Sequence, residues 1–509
     1  MEAGRAVIPA AYAPSMLDVL IVGAGLSGIG VAHHLQARHP GKRYAILEAR
    51  DDLGGTWDLF RFPGVRSDSD LQTFGYAFKP WRGEKAIADG ASIKAYLAET
   101  AREHGIDRHI RFGHRVVRAA WSSRDARWTV TVTDGAGDTV ELTARWLFCA
   151  CGYYRYDEGY APRFEGLERF GGTVAHPQHW PAELDHAGKR VVVVGSGSTA
   201  VTLIPAIARE AAHVTMLQRS PSYVLPMPDH DGLAEKLRRV LGDERAHRLT
   251  RRKNIFRQRS IYRFSQRYPE AARRLIRWVN AKELEGSGCD VDVHFKPAYG
   301  PWDQRLCIVP NGDLFAAIRA GDASVVTDHI ATFTETGIRL RSGRHLDADI
   351  VVTATGLNLL AFGGIELDVD GAAVSLPDTV AYKGLMLSGV PNLAFALGYT
   401  NASWTLKVDL VCDYFCRLLA HADRFGFDAC VPELEDAGMP RRPLLDLQAG
   451  YVLRSLDGLP RQGDRPPWQQ AMDYARDRRA LRNGDVGAPP IRFFRAGDAS
   501  SARERPAAA

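Results

Sequence analysis

Hydrophobic positions first organise at Asp18. There "DVLIV" forms a short β-branched apolar run that stops at Gly23. The residues after "GAGLSGIG" turn apolar with helical spacing, and a second apolar run, "YAILEAR", ends on Glu48. The same succession returns at Lys189: "KRVVVV", the loop "GSGSTA", an apolar-periodic helix "VTLIPAIA" and the run "AHVTMLQRS". Continuous apolar strands alternating with amphipathic helices predict parallel sheets covered on both faces. The predicted fold class is α/β with two Rossmann-like dinucleotide-binding domains. Two further apolar runs end on glycine, Trp146 to Tyr154 and Asp347 to Asn358, and each predicts a crossing between the domains. "VPNLAFALGYTNASWTLKVDL" predicts a strand, a turn over Gly398 to Asn401 and a helix from about Ser403. From Asp231 to about Lys282 the pattern is helical and rich in arginine.

The loops carry chemistry. In Gly23-x-Gly25-x-x-Gly28 the first glycine permits a tight turn, the second lets a pyrophosphate approach the backbone, and the third allows close helix–strand packing. Ser27 lies inside this loop, and the helix behind it offers unpaired N–H groups to phosphate. Glu48, ending the next strand, suits ribose hydroxyls. The second unit, Gly195-x-Gly197-Ser198-Thr199-Ala200, ends instead on Arg219 and Ser220. An acid accepts a free 2′-hydroxyl and repels a phosphate, whereas an arginine with a hydroxyl binds a 2′-phosphate. The first site is therefore expected to hold an adenine dinucleotide without that phosphate, and the second NADP(H). A flavin with its reductant accounts for the pair; two NAD-type sites, or a copy kept for structure, are the alternatives. After Glu48, "DDLGGTWDLFRFPGVRSDSD" supplies Gly54, Gly55, Thr56, the flat wall of Trp57, and Asp68.

At 509 residues the chain exceeds a single core. Hydrophobic content of 45% and charged content of 25% describe an ordinary globular protein, and a net charge of +5 excludes little. Seven scattered cysteines read as reduced, packing thiols; Cys149/Cys151 and Cys412/Cys416 match neither a redox dithiol nor a zinc site. The N-terminus lacks a signal-peptide pattern and no apolar run approaches a membrane span, so the expected location is cytoplasmic. The arginine-rich segment interleaves aromatic residues, but no nucleic-acid module accompanies it. It reads first as a solvated helical insert capping the substrate cavity, and next as a peripheral contact with anionic lipids. The tail from Ala488 is rich in Pro, Ala and Arg and is expected to be largely disordered.

The stretch "FGGTVAHPQHWP", Phe170 to Pro181, precedes the second nucleotide strand and places His176, His179 and Trp180 in a linker. Its pattern Phe170-x-Gly172-x-x-x-His176-x-x-x-Trp180-Pro181 resembles the linker fingerprint of Baeyer–Villiger monooxygenases, within the class B flavoprotein monooxygenases. Stretches such as "GGTWDLFRFPGVRSDSD", "CGYYRYDEGY", "PWDQRLCIVPNGDLF" and "GYTNASWTLKVDLV" extend the resemblance to about residue 480 and bring it nearest to the ethionamide-activating type.

The resemblance implies FAD and NADPH as cofactors, in a fold of the glutathione-reductase-like type. The implied divisions are 1–160 for the first part of the FAD domain, 161–188 for the linker and 189–345 for the NADP domain with its insert at 229–290. Residues 346–485 follow as the second part of the FAD domain, and 486–509 as the tail. It implies oxygen insertion beside a ketone carbonyl through a flavin peroxide, with sulfide oxidation as a second activity. Nitrogen- or sulfur-oxygenating flavin monooxygenases, and a non-catalytic nucleotide sensor, are the rival readings. By resemblance Arg305 is the permanent cation beside the flavin, Asp68 its partner, and Val116 a neighbour of the adenine; His176 is counted with the first two as a catalytic residue, holding the hinge's shape, with charge switching or acid–base chemistry as the alternatives. Where the family often has Lys before the arginine, Gln304 stands here, leaving one cation. The helix from about Ser403 is placed by the same analogy with its N-terminus toward the flavin ring.

Overall fold

The computed structural model describes residues 16–498. Leu17–Val22 pairs in parallel with Tyr44–Leu47 on one side and with Thr139–Cys149 on the other. Val19, Leu20 and Ile21 are wholly buried, as a strand covered on both faces requires. Ile110–Arg111 and Leu393–Phe395 join in parallel. The hairpin strands Arg115–Ser122 and Arg127–Thr133 join antiparallel, in a sheet of nine strands. In Arg127–Thr133 buried and partly exposed positions alternate, the mark of a strand with one wetter face. The helices Leu26–Arg38 and Trp404–Phe425 pack on one another against this sheet.

The second sheet has five parallel strands in the order Ala323–Thr327, His213–Gln218, Arg190–Val194, Ile350–Thr353 and Thr173–Ala175. Two sequence-based divisions are corrected by it. Ile350–Thr353, placed by sequence in the returning FAD domain, is an interior strand of the second sheet; four consecutive buried residues need a hydrogen-bonded neighbour on each side. Thr173–Ala175, assigned to the linker, is the edge strand beside it.

The tail is a further correction. Ile491–Phe494 pairs antiparallel with Ala429–Pro432, and Ile491 and Phe494 are buried. Residues 499–509 of that tail lie outside the described residues.

The insert folds as Gly232–Leu241, Asp243–Arg267 and Pro269–Glu283. It does not cap the cavity described below, none of whose wall residues it supplies. It docks on the first domain: buried Arg251 donates to the carbonyls of Gln72, Thr73 and Gly75 and pairs with Asp409 at 2.8 Å. Asn254 and Gln258 donate to Asp70, which also caps the short helix Leu71–Phe74.

Candidate active site

Both glycine loops open into one cavity of about 890 Å³. At its first end the turn after Leu17–Val22 reaches φ +102° at Gly23, where a Cβ would lie 2.8 Å from the Ala150 carbonyl oxygen. Gly28 faces away from the cavity, and a Cβ there would come within 1.9 Å of the Gly23 carbonyl oxygen, so the helix can lie this close only with glycine. Leu26–Arg38 has no side-chain N-cap. Its first N–H groups are left for an anion. Glu48 accepts from the backbone N–H of Ala24 at 2.8 Å and of Arg50 at 3.0 Å. Burial raises its pKa, and those two N–H groups and Arg50 oppose the rise. Val116, buried beside His114 and Arg115, forms the wall next to it.

The second loop repeats the geometry. Gly195 has φ +139°, with a Cβ 2.3 Å from the Ala354 carbonyl oxygen, while a Cβ at Gly197 would meet nothing within 4 Å. Ser198–Ile207 also lacks a side-chain N-cap. Ser198, Thr199, Arg219 and Ser220 line the cavity; Ala200 is wholly buried in the helix–sheet contact, where one methyl fits. Arg219 has no carboxylate partner among the described residues, and this leaves its charge for a ligand. These two cradles fit two dinucleotides: open backbone at the phosphate positions, an acid at one ribose end and a free guanidinium at the other.

The chemistry-bearing pair stands in the wall of the same cavity. Arg305 donates to Asp68 from Nη2 at 2.9 Å, and its Nε stands 2.8 Å from the other carboxylate oxygen, a two-pronged ion pair that fixes the guanidinium plane. The Asp68 carboxylate raises the arginine pKa further, against the cost of burial. Asp70, two residues on, faces the insert and takes no part. Gln304 lies in the same wall. Gly55 with φ +56°, Thr56 and Trp57 form another side, Thr56 meeting the Tyr156 hydroxyl at 3.2 Å and Trp57 standing edge-on to Phe74. Ser27 accepts from the indole of Trp404 at 3.0 Å. Trp404 opens the helix whose N-terminus was expected near Ser403 and contributes to the wall with Tyr399 and Ala402.

His176 is not brought to this cavity. Its Nδ1 accepts from the Gln178 N–H at 3.2 Å, capping the turn Pro177–His179, and its ring fills the space beside Gly159. Burial lowers its pKa, keeping the ring neutral. His179 is exposed, and Trp180 packs on the second domain's core.

Sequence reasoning missed Gln178, which is buried and donates to the carbonyls of Arg155 at 2.9 Å and Tyr156 at 3.0 Å, tying the linker to the strand Tyr154–Gly159. It also missed the phenols around Arg305. Tyr153 and Tyr154 touch through their hydroxyls at 3.3 Å, and Tyr451 completes the group. Burial pushes Tyr154 up to about 12 and raises Tyr153 and Tyr451 well above the ordinary phenol range, so all three stay protonated. Cys151 and Cys307, read as packing thiols, stand in the cavity wall.

Residues 87–371 match the family pattern described as flavin-binding monooxygenase-like, and residues 21–82 an NAD(P)-binding Rossmann-like domain. The chain is 55% identical over 478 residues to the FAD-containing monooxygenase EthA of Mycobacterium tuberculosis (strain ATCC 25618 / H37Rv), covering 94% of this chain and 97% of that protein. The chain belongs to the flavin-binding monooxygenase family. Its relationship to EthA of Mycolicibacterium smegmatis is 51% identity over 477 residues, with 94% and 96% covered. In fold it is similar to a steroid monooxygenase solved with NADP, with a TM-score of 0.76 at 23% identity, covering 94% of this chain and all of that one. As a flavin monooxygenase it uses FAD and NADP(H), and the two-cradle cavity is where this chain can hold them together.

Proposed function

We propose that this flavin monooxygenase places one atom of dioxygen beside the carbonyl carbon of a ketone, giving an ester or lactone, and oxygenates sulfides in the same cavity. The observation that carries this reading is the Arg305–Asp68 pair in the wall of the cavity that both nucleotide cradles share. FAD, once reduced by NADPH, supplies the activated oxygen; the remaining work falls to side chains. Arg305 cannot lose its proton, and its planar donors stabilise negative charge as it develops on oxygen. Asp68 positions that plane while leaving a third of the arginine side chain's surface open to the cavity.

Tyr153, Tyr154 and Tyr451 set aromatic rings beside Arg305, and Phe60 and Phe362 line the same cavity, which favours an apolar substrate and excludes water. Gly23, Gly25 and Glu48 are assigned to FAD, with Ser27, Gly55, Thr56, Trp57 and Val116 around it. Gly195, Gly197, Ser198, Thr199, Arg219 and Ser220 are assigned to NADPH. His176 and Gln178 hold the linker's shape rather than touch the substrate.

The rival activity, oxygenation of nitrogen or sulfur alone, needs no cation to hold a carbonyl oxyanion. A panel of linear and cyclic ketones and sulfides, incubated with NADPH under ¹⁸O₂, separates the two. Ester or lactone carrying one ¹⁸O atom supports the proposal; labelled sulfoxide with no ester overturns it.

A further inference from the structure

The chain's positive charge is concentrated in one place. Residues 232–283 hold sixteen Lys and Arg against five Asp and Glu, a net +11, while the whole chain is +5; everything outside the insert is therefore net −6. Exposed apolar surface is concentrated there too. Of fourteen large apolar side chains exposed among the described residues, nine lie within 233–278, including Phe256 at 71% and Trp278 at 59% exposure.

Helical geometry puts both features on one side. In Asp243–Arg267 the spacing of Leu249, Phe256 and Phe264 aligns them on a single face, opposite Arg251, Asn254 and Gln258, which dock on the first domain. Arg245, Arg248, Arg252 and Arg257 flank that outer stripe, are exposed, and have no carboxylate partner among the described residues. Leu233 and Val240 repeat the pattern on the preceding helix, as do Leu275 and Trp278 on the following one, where Lys282 lies 5.8 Å from the Trp278 ring.

We infer that this outer face of the insert docks on the surface of an anionic lipid bilayer, its aromatic and aliphatic side chains entering the headgroup boundary and its unpaired cations meeting lipid phosphates. Charge selects this occupant. A second copy bringing the same face would oppose two strongly positive surfaces, at a cost that only anions relieve. Nucleic acid would satisfy the cations but leave Val240, Leu249 and Leu275 in water. A bilayer with acidic headgroups satisfies both kinds of group at once. Among the described residues no helix is long and apolar enough to cross a membrane, so the contact is one-sided. The inference stands apart from the oxygenation reading, because no insert residue lines the cavity.

The test is co-sedimentation of the FAD-loaded full chain with vesicles of phosphatidylcholine alone or mixed with phosphatidylglycerol, at rising salt. Binding to the anionic vesicles is expected at least tenfold above the neutral ones, falling with salt. The double variant Phe256→Asp/Trp278→Asp should lose at least tenfold in binding while keeping its flavin content and its lipid-free NADPH oxidation rate. A Trp278→Phe variant should lose the emission quenching that brominated lipids cause in the parent. Equal binding to both vesicle types, or unchanged binding by the double variant, overturns the inference. So does a dimer, seen by sedimentation velocity, that this double variant dissociates, or salt-resistant RNA binding that it abolishes.

Discussion

Asp68 and Arg305 are 237 residues apart in the chain, yet the carboxylate accepts a hydrogen bond from the guanidinium Nη2 at 2.9 Å and pairs with its Nε at 2.8 Å, in the wall of the cavity that both nucleotide cradles open into. Removing the cation should leave reduction by NADPH intact and stop oxygen insertion. Arg305→Ala is expected to lower ester formation by about a hundredfold or more, the size of losing one oxyanion donor. Stopped-flow reduction should proceed near the parental rate. Arg305→Lys should not restore the activity, since an ammonium cannot match the two-pronged Asp68 contact. Full ester formation by Arg305→Ala would remove the residue from the mechanism.

Arg219 distinguishes the two nicotinamide cofactors. It lies in the cavity wall without an acidic partner, beside Ser220, whose carbonyl accepts from the Ser196 hydroxyl at 3.2 Å. A charged hydrogen bond to phosphate is worth roughly 1.5–3 kcal/mol, about a tenfold to hundredfold effect on affinity. Arg219→Ala should raise the KM for NADPH by about that factor and leave the KM for NADH nearly unchanged. Steady-state kinetics with both cofactors decide it; an equal rise for both would assign Arg219 to general binding.

Two glycines separate folding from ligand space. At Gly28 a Cβ would sit 1.9 Å from a backbone oxygen; at Gly197 it would meet nothing within 4 Å. Gly28→Ala is expected to yield protein that melts well below the parent and purifies without flavin, because helix and strand must separate. Gly197→Ala should melt with the parent and retain flavin but bind NADPH at least tenfold more weakly, its methyl occupying the place of the phosphates. Thermal melting together with flavin absorbance tells the two apart.

Much of this arrangement could be read from short local patterns. A glycine loop between an apolar strand and a periodic helix constrains its own surroundings, so both cradles and the contrast of Glu48 with Arg219 were legible. The Arg305–Asp68 pair was reached by resemblance, because nothing near either residue names the other. Ile350–Thr353 was assigned to the wrong domain because an apolar strand does not reveal which sheet will hydrogen-bond it. Ile491–Phe494 was hidden by a tail composition typical of disorder, and its order comes from the distant strand Ala429–Pro432. Tyr153, Tyr154 and Tyr451 face Arg305 only after chain segments hundreds of residues apart meet. For the insert the helices were legible, but not which face turns outward. That was decided by Arg251 reaching three carbonyls of the first domain.

That docking contact also sets a dependence on pH. His247, 4% exposed, meets Gln72 through Nδ1 at 3.0 Å, and its pKa falls from 6.5 to about 4, chiefly from burial and next from the charge of Arg251. A histidine that binds its proton less readily when folded makes the unfolded state the greater proton acceptor between the two pKa values. Stability is then unaffected above pH 6.5 and declines as pH falls from 6.5 toward 4. The loss from this group reaches up to about 3 kcal/mol at the acid end of that window. His33, stacked on Phe78 at 3.5 Å and also lowered to about 4 by burial, adds a loss of the same sign. His247→Asn cannot take up that proton and should flatten the slope of Tm against pH between 6.5 and 4, whatever its effect at pH 8. Because Arg251 and His247 hold the same junction, acid should loosen the insert from the first domain before the sheets unfold. Hydrogen exchange at pH 5 should therefore rise first in residues 243–267. If exchange there stays level while the Arg190–Val194 strand opens, the junction is not the acid-sensitive element.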